Sequence, residues 1–276
     1  IYSGLVQYDQ RTNEIVPDLA TGYEVSADGT VWTFRLRPNV TWHKGYGAFT
    51  SDDVKFSFDR VLDPATGSLY RGQLAGLREV QTPDPLTVRF VLEEANSGFL
   101  HKLCAFNQGW IVSRRAVTEI GERYSMNPIG TGPFVFERWT TGNEVRLSAN
   151  PSYFGGASTL SEVVFRIVRD ETAAAIALEN RELDIFYALQ TPEVIERLRR
   201  AQGISVLDRP SNNTVNLVLN TTAGPLRDVR VRRAMAHAMN RRALIDGFFR
   251  GTKFEATSVL TSTFQEFSEE LSLIHI

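Results

Sequence analysis

The segment LATGYEVSADGTVWTFRLRPNVTWHKGYGAFTSDDVKFSFDRVL, residues Leu19 to Leu62, carries the strongest structural pattern in the chain. Within its VWTFRLR portion, the apolar side chains of Trp32, Phe34 and Leu36 alternate with polar ones. A period of two predicts a strand with one buried face and one solvated face. Asp28-Gly29 predicts the turn that precedes this strand. The segment therefore begins as a turn and a half-buried strand, and an aromatic loop follows.

A helix is predicted after that loop, with sequence signals at both ends. Thr50 and Asp53 have the spacing of a capping box, and Asp63-Pro64 predicts the end of the helix. Apolar residues recur between them at helical spacing, at Val54, Phe58, Val61 and Leu62. Asp52 lies next to Asp53 at the helix start, where acidic side chains complement the helix dipole. We therefore interpret this acidic pair as structural rather than as two catalytic carboxylates.

Strands and helices alternate through the remaining sequence, which favours an α/β or mixed class. A strand is predicted at Thr87 to Leu92, and a hairpin at Phe134 to Trp139 with Glu144 to Ala149. A strand, helix, strand, helix, strand pattern typical of parallel-sheet units follows at Glu162 to Val168, Glu171 to Asn180, Leu183 to Tyr187, Pro192 to Arg200 and Ile204 to Leu207. Helix boundaries are predicted at Thr191, Asp228, Asn240 and Gly251.

Composition excludes several classes of protein. The 276 residues carry 30 basic and 32 acidic side chains, a formal net charge of −2, so no electrostatic footprint for nucleic acid is present. Cys104 is the single cysteine, which rules out an intrachain disulfide and a cysteine-based metal cluster. Neither a signal peptide nor an apolar run of ~18 residues is visible.

No spacing of residues predicts catalysis. The histidines lie in separate elements without a metal-binding motif, so surface or half-buried positions are expected for His43, His101, His237 and His275. A G-x-S-x-G motif is absent from the sequence. We predict no catalytic residue, no metal site and no cofactor. The run Gly130-Thr131-Gly132-Pro133 predicts a tight turn whose glycines adopt backbone angles closed to other residues.

Several segments, in order, resemble the family 5 extracellular solute-binding proteins, the receptors of peptide, nickel and related ABC importers. Besides residues 19–62, the matching segments are YSGLVQYD at 2–9, GTGPFVFERW at 130–139, NPSYFGG at 150–156, LDIFYAL at 183–189 and PLRDVRVRRAMAHAMNRRALI at 225–245. The similarity extends to about Gly251, whereas the final LSLIHI is unlike the family. Family members are considerably longer, so we expect this chain to be a fragment cut at both ends.

The resemblance implies an α/β, periplasmic-binding-protein-like two-lobe fold of the large peptide-binding type. Only lobe one and the start of lobe two are expected here. Residues 1–127 would form the small subdomain of lobe one, and residues 128–210 its central-sheet part. Residues 211–276 would contain the hinge crossing and an incomplete start of lobe two.

By the same resemblance, the expected function is to bind a solute by hinge closure and deliver it to an ABC transporter permease. The expected location is the periplasm, or the cell surface as a lipoprotein. Peptides are the default ligand, with nickel chelates, glutathione-like compounds and oligosaccharides open, and no nucleic-acid partner is expected. Two other hypotheses are an extracytoplasmic hydrolase acting on the same ligands and a sensor or receptor domain with the same fold.

Family position also implies which residues contact the ligand. The candidates are Ser3, Gly4, Leu5, Asn107, Gln108, Gly109, Trp110, Tyr187, Ala188, Leu189, Asn212 and Asn213. Backbone groups, amides and aromatic faces are typical of a cleft that binds small molecules. Each candidate has a structural alternative: Tyr187 as the end of a buried strand, Trp110 as core, and Asn212 and Asn213 as turn residues.

Overall fold

The computed structural model describes residues 1–105, 107–187, 189–208 and 213–256. The chain divides into two compact units, Ile1–Ile167 and Val168–Ile276. The subdomain boundary expected at residue 127 and the lobe boundary expected at residue 210 remain predictions, and the LSLIHI tail lies outside the described residues. No helix in the described ranges combines the length and the apolar character needed to cross a membrane.

The first unit is built on antiparallel strands. They are β1 (Val6–Tyr8), β2 (Ile15–Pro17), β3 (Ala20–Val25), β4 (Val31–Leu36), β5 (Leu77–Asp84), β6 (Thr87–Leu92), β7 (Phe134–Thr140), β8 (Glu144–Ala149) and β9 (Glu162–Arg166). They form three sheets with the orders β1-β2, β3-β4-β6-β5 and β7-β8-β9. The helices of this unit are α1 (Ser51–Leu62), α2 (Phe99–Cys104) and α3 (Arg114–Ile120). The predicted hairpin is therefore confirmed as β7 and β8.

The core of the first unit lies between the four-stranded sheet and the helices. The strand predicted from the VWTFRLR alternation is confirmed as β4, in which Phe34 is fully buried and lies opposite Val88 of β6. Phe58 of α1 packs edge-to-face on Phe90 of β6, with ring centroids 4.9 Å apart. Such a pair contributes ~0.5–1.5 kcal/mol beyond the burial of its area. These contacts hold α1 on one face of the sheet.

Helix α1 begins and ends where the sequence predicts. Thr50 is its N-cap, and the predicted capping box is present, with the Thr50 N–H donating to Asp53 Oδ2 at 3.1 Å. Asp63 ends the helix at its C-cap position. Asp53 is buried and also accepts the indole N–H of Trp42 at 3.1 Å and the backbone N–H of Arg114 at 3.0 Å. The Asp53 carboxylate therefore joins α1, the aromatic loop and α3.

The turn at Gly130–Pro133 forms, but the predicted reason for its glycines is wrong. Neither Gly130 nor Gly132 has a positive φ. A Cβ on Gly130 would come within 2.1 Å of the Ile1 carbonyl oxygen, and one on Gly132 within 2.7 Å. Real side chains do not tolerate such contacts, so glycine is required because the backbone at Ile1 approaches closely. The Gly132 N–H donates to that carbonyl at 2.7 Å.

His43 also corrects a prediction, because it is buried rather than on the surface or half-buried. Its Nδ1 accepts the Gly130 N–H at 3.4 Å, and its Nε2 lies 2.9 Å from the Gly132 carbonyl oxygen. A neutral ring with its proton on Nε2 satisfies both contacts, so the network assigns this tautomer. Burial lowers the pKa of His43 below its ordinary value. His101 and His237 are exposed, and His275 lies outside the described residues.

The second unit contains helices and loops. Its helices are α4 (Glu171–Glu179), α5 (Pro192–Arg200), α6 (Val229–Ala238) and α7 (Arg241–Ala243), and α7 continues as a π-helical turn at Leu244–Phe248. Ala175 of α4 packs with Val194 and Leu198 of α5 in a small apolar cluster. Asp228 caps α6 through the Arg230 N–H at 2.8 Å, and Asn240 caps α7 through the Ala243 N–H at 2.9 Å.

Two predicted strands of the second unit are absent. Residues 183–187 and 204–207 form no strand, and every ladder between strands in the described ranges is antiparallel. The predicted parallel-sheet units are therefore not observed there. An alternating pattern forms a strand only when neighbouring strands supply hydrogen bonds and cover its apolar face. Ile185 and Leu207 are instead more than four-fifths exposed.

Candidate functional site

Two segments predicted to contact a ligand lie side by side in the first unit. Gly4 and Trp110 form an isolated antiparallel bridge, and the Ile111 N–H donates to the Ser3 carbonyl at 3.0 Å. We call residues 2–5 and 107–110 together the Gly4–Trp110 edge. The two segments are more than 100 residues apart in the chain, and backbone hydrogen bonds join them. Their relative position is therefore fixed.

An aromatic surface is exposed along the Gly4–Trp110 edge. The Tyr2 and Trp110 rings stack with centroids 5.4 Å apart and an interplanar angle of 28°. Trp110 retains 44% of its surface exposed to solvent. Burial raises the pKa of the Tyr2 phenol above its ordinary value, which keeps the ring neutral at physiological pH. The edge therefore presents an uncharged aromatic surface.

Glycines allow the two segments of the edge to approach each other and α2. A Cβ at Gly109 would lie 2.0 Å from the Leu103 carbonyl oxygen, and one at Gly4 would lie 3.0 Å from that of Val6. The Gly109 N–H donates to the Ala105 carbonyl at 2.7 Å. Gly109 thus folds the chain closely over the end of α2 and places Trp110 next to Gly4.

A carboxylate beneath the edge was not identified from the sequence. Asp18 is buried, and its Oδ2 accepts the Gly4 N–H at 3.1 Å. Burial raises the pKa of Asp18 to about 6, although the hydrogen bonds from Gly4 and Ser3 and the charge of Arg37 oppose the shift. Asp18 lies in the sequence PDLA at residues 17–20, at the end of β2. Its role is evident only from its contact with Gly4, which is distant in the chain.

Several other residues of the edge have buried side chains. Leu5 is fully buried in the core, Ser3 is buried, and the buried Gln108 donates its amide to the Lys102 carbonyl at 3.3 Å. Asn107 is exposed. Among the predicted residues of this edge, the exposed side chains are therefore those of Asn107 and Trp110. Ser3 and Leu5 contribute backbone hydrogen bonds to the edge.

The remaining candidates belong to the second unit. Tyr187 is 84% exposed, so it does not end a buried strand as its structural alternative required. Leu189 packs against the α4–α5 apolar cluster, and Asn213 is exposed. Ala188 and Asn212 lie outside the described residues. Among the candidates in the second unit, Tyr187 is therefore the aromatic residue with an exposed side chain.

The loop that follows Tyr187 is anchored by Glu171, which the sequence indicated only as an acidic residue in the first turn of a helix. The Glu171 carboxylate accepts the Gln190 N–H at 3.1 Å and the Thr191 N–H at 2.9 Å. Burial acts to raise the pKa of Glu171, but these hydrogen bonds outweigh it and the pKa is lowered. The ionised carboxylate therefore holds residues 189–191 at the start of α5. Thr191 is the N-cap of α5 as predicted, although its side chain makes no capping bond.

An open cleft of about 460 Å³ lies elsewhere in the first unit, between α1, α3 and the aromatic loop. Trp42, Asp53 and Arg115 are among its lining residues. The Asp53 carboxylate is fully used by internal hydrogen bonds, and Arg115 pairs with Glu119 at 2.7 Å. The described residues contain no group of three or more histidine, cysteine or acidic side chains that could hold a metal. We therefore assign this cleft no chemical role.

A family model and several curated relatives match most of the chain. The model of the bacterial extracellular solute-binding proteins, family 5 Middle, matches residues 14–273. The chain is 30% identical to the dipeptide-binding protein of Escherichia coli K12, over 98% of this chain and 54% of that protein. The chain thus spans about half the length of the curated relatives it matches.

Solved structures show the same fold. DppA of Helicobacter pylori, an ABC transporter-associated periplasmic binding protein in complex with the peptide STSA, matches with a TM-score of 0.80 and 30% identity, over 91% of this chain and 53% of that chain. MoaA of A. tumefaciens R10, in complex with mannopinic acid, matches with a TM-score of 0.76 and 35% identity, over 91% of this chain and 51% of that chain. The predicted α/β, periplasmic-binding-protein-like fold class is confirmed.

Proposed function

The chain belongs to the bacterial extracellular solute-binding proteins of family 5, and from this premise we propose that it forms part of a receptor that binds a small peptide outside the cytoplasm. The receptor would pass the peptide to the permease of an ABC importer. Its location would be the periplasm or the cell surface, as a lipoprotein. The function requires binding and release without chemical conversion of the ligand.

The observation that carries this proposal is the Gly4–Trp110 edge. Its indole stacks on Tyr2 and keeps 44% of its surface exposed, while the backbone bridge at Gly4 holds the segment in place. A preorganised aromatic surface favours binding because little conformational entropy is lost when a ligand stacks on it. The exposed Asn107 amide adds a donor and an acceptor at the same edge.

A peptide suits these groups better than a strongly charged ligand. The exposed side chains of the edge are an indole and an amide, which can contact a peptide plane and an apolar side chain. The relatives described as dipeptide-binding and as a complex with the peptide STSA support the same choice. MoaA, in complex with mannopinic acid, makes related small acids the appropriate competitors in a test.

Binding would operate through hinge closure. A ligand that contacts residues on both sides of a hinge stabilises the closed state by its differential affinity for that state. In the proposed arrangement, the Gly4–Trp110 edge contacts the ligand from lobe one, and groups of lobe two complete the site. Within the hinge crossing predicted at Ser211 to Thr214, residues 211 and 212 lie outside the described residues.

The test is calorimetry on the complete mature protein that contains this chain, with a panel of di- and tripeptides, mannopinic acid, a nickel–histidine complex and an oligosaccharide. We expect saturable binding of one peptide class with no turnover detected by mass spectrometry. Trp110→Ala should weaken that binding about tenfold or more, since ~1.4 kcal/mol corresponds to a factor of ten.

Trp139 of β7 is the matched control, because its 42% exposure nearly equals that of Trp110. Trp139→Ala should leave the dissociation constant unchanged. Equal weakening by both substitutions would reject the Gly4–Trp110 edge as the site. Binding of mannopinic acid, nickel or sugar instead of peptide would reject the peptide assignment, and conversion of any ligand would favour the hydrolase hypothesis.

A further inference from the structure

Arg250 joins the end of the described chain to α5. Its Nη2 lies 2.6 Å from Glu193 Oε1, and its Nη1 lies 3.9 Å from Glu196 Oε1. The two glutamates are three residues apart on α5 and therefore share one face of the helix. A planar guanidinium can engage both carboxylates at once, which a single ammonium group would do less well.

Lys253 makes a second contact between the end of the described chain and the residues just before α5. Its Nζ donates to Gln190 Oε1 at 3.0 Å. Gln190 is also held through its backbone N–H by the Glu171 carboxylate, at 3.1 Å. Gln190 is thus held by Glu171 of α4 through its backbone and by Lys253 through its side chain. The loop at residues 189–191 begins two residues after Tyr187, the exposed aromatic residue among the candidates of the second unit.

The backbone at Arg250 is in an unusual conformation. Arg250 has φ of +47° and Gly251 has φ of +73°, so both lie in the left-handed region. A residue with a Cβ occupies that region at a cost of ~1–2 kcal/mol, and such a conformation persists only where surrounding contacts determine it. Gly251 is the natural end of the preceding helical turn, whereas Arg250 is in this region while its side chain lies against α5.

We propose that Arg250 and Lys253 form a polar latch that couples residues 229–256 to α5 and to the loop at residues 189–191. The two partners of the latch lie on opposite sides of residues 209–212 in the chain, around the predicted hinge crossing. The latch holds the loop at residues 189–191, which follows Tyr187, against the helical segment after the crossing. Its effect on ligand affinity rests on the proposed function, whereas its effect on the protein alone does not.

The latch is modest in strength, because the partners are partly exposed. The Arg250 and Glu193 side chains retain 45% and 58% of their surface. A single exposed ion pair contributes little to stability, so the latch stabilises the local contact only slightly. Losing it should accelerate local opening about two- to fivefold, without unfolding either unit.

Hydrogen–deuterium exchange of the complete mature protein, without ligand, tests the latch. In Arg250→Glu we expect exchange about two- to fivefold faster than wild type in peptides covering residues 185–192 and 244–253. The charge-swapped double variant Arg250→Glu with Glu193→Arg should restore wild-type exchange. Arg250→Gly relieves the left-handed backbone but removes the latch, so its exchange should also be faster. This variant guards against a result caused only by backbone strain.

Arg242 supplies the matched control. It pairs with Asp246 at 2.8 Å within its own helical segment, whereas Arg250 pairs with α5. Arg242→Glu should leave exchange at residues 185–192 unchanged. Equal acceleration by Arg242→Glu and Arg250→Glu, or a failure of the charge swap to restore exchange, would overturn the latch.

A second arm connects the latch to function, with the dipeptide Ala-Ala as probe and the same variants. Arg250→Glu should shift the dissociation constant about two- to fivefold, whereas Arg242→Glu should not. If the exchange results hold and neither Ala-Ala nor any peptide of the panel binds the wild-type protein, the latch stands and the peptide assignment fails. If the dipeptide binds and the exchange of Arg250→Glu equals that of wild type, the latch is rejected alone.

Discussion

Asp18 Oδ2 accepts the Gly4 N–H at 3.1 Å, so a buried carboxylate supports the bridge residue that lies beside Trp110. The bond joins residues 14 positions apart, and neighbouring backbone bonds run from Leu19 N–H to the Gly4 carbonyl and from Ala20 N–H to the Leu5 carbonyl. The position of the Gly4–Trp110 edge therefore depends on the segment between β2 and β3.

Asp18→Asn should stabilise the protein at pH 7 by ~1–3 kcal/mol. The amide oxygen can still accept the Gly4 N–H, and no charge has to be buried. Burial raises the pKa of Asp18 from 3.8 to about 6 in the folded protein. The wild-type carboxyl therefore favours folding below about pH 4, and this contribution is lost as the pH rises through about 6.

Urea unfolding between about pH 4 and pH 7.5 measures this effect. The wild-type free energy of unfolding should fall across that range relative to the variant, so the difference between the two should grow with pH. Parallel profiles for the two proteins would show that Asp18 has no raised pKa. Asp28→Asn is a suitable comparison, because hydrogen bonds from Ser26 and Thr30 lower the pKa of the exposed Asp28 to about 2.

His43 should produce a pH dependence of the opposite sign. Burial lowers its pKa below 6.5, so the unfolded chain takes up a proton before the folded protein does. The stability that the neutral ring contributes is fully present above about pH 6.5. It is lost as the pH falls through the lowered pKa, because protonated Nδ1 cannot accept the Gly130 N–H.

His43→Gln should therefore be less stable than wild type at pH 7, by ~1–3 kcal/mol, through lost packing and hydrogen bonds. The deficit should shrink as the pH is lowered towards 5, when the wild type loses its own contribution. Thermal unfolding of both proteins at each pH provides the measurement, with exposed His101→Gln as the control. A deficit that stays constant with pH would assign His43 a packing role without a titration.

Gly109→Ala should destabilise the first unit and disturb Trp110. The added Cβ would lie 2.0 Å from the Leu103 carbonyl oxygen, so the backbone after α2 has to move. We expect a loss of ~1–3 kcal/mol, as for overpacked interiors, together with a change in tryptophan fluorescence. Gly22→Ala is the matched control, because nothing lies within 4 Å of its Cβ position. Similar losses in both variants would attribute the effect to glycine flexibility rather than to the close approach.

Local sequence patterns predicted the elements whose partners lie nearby in the chain or on one buried face. The alternation at Trp32, Phe34 and Leu36 predicted β4, and the Thr50–Asp53 spacing predicted the start of α1. The same type of pattern failed at residues 183–187 and 204–207. An alternation of apolar residues specifies which side of a strand could be buried, but not whether a neighbouring strand is present to pair with it.

The candidate site was likewise predicted only in part. Family resemblance selected the segments around Ser3 and around Asn107 separately, but it did not predict the Gly4–Trp110 bridge or the Tyr2–Trp110 stack. Asp18, Glu171 and Arg250 were not among the residues selected. Their partners lie between 14 and 57 positions away in the chain, as in the pair of Asp18 with Gly4 and the pair of Arg250 with Glu193. No local period encodes contacts at such separations.

The sequence by itself determined the family, the α/β class, the strand–loop–helix order of residues 19–62 and most helix boundaries, because caps, turns and hydrophobic periods act over a few residues. Only the tertiary structure decided that Gly109 and Gly130 must be small, that His43 is buried and neutral, and that Trp110 remains partly open beside Gly4. These properties depend on close approach and burial between distant parts of the chain, which arise only when the backbone hydrogen bonds and the core have formed.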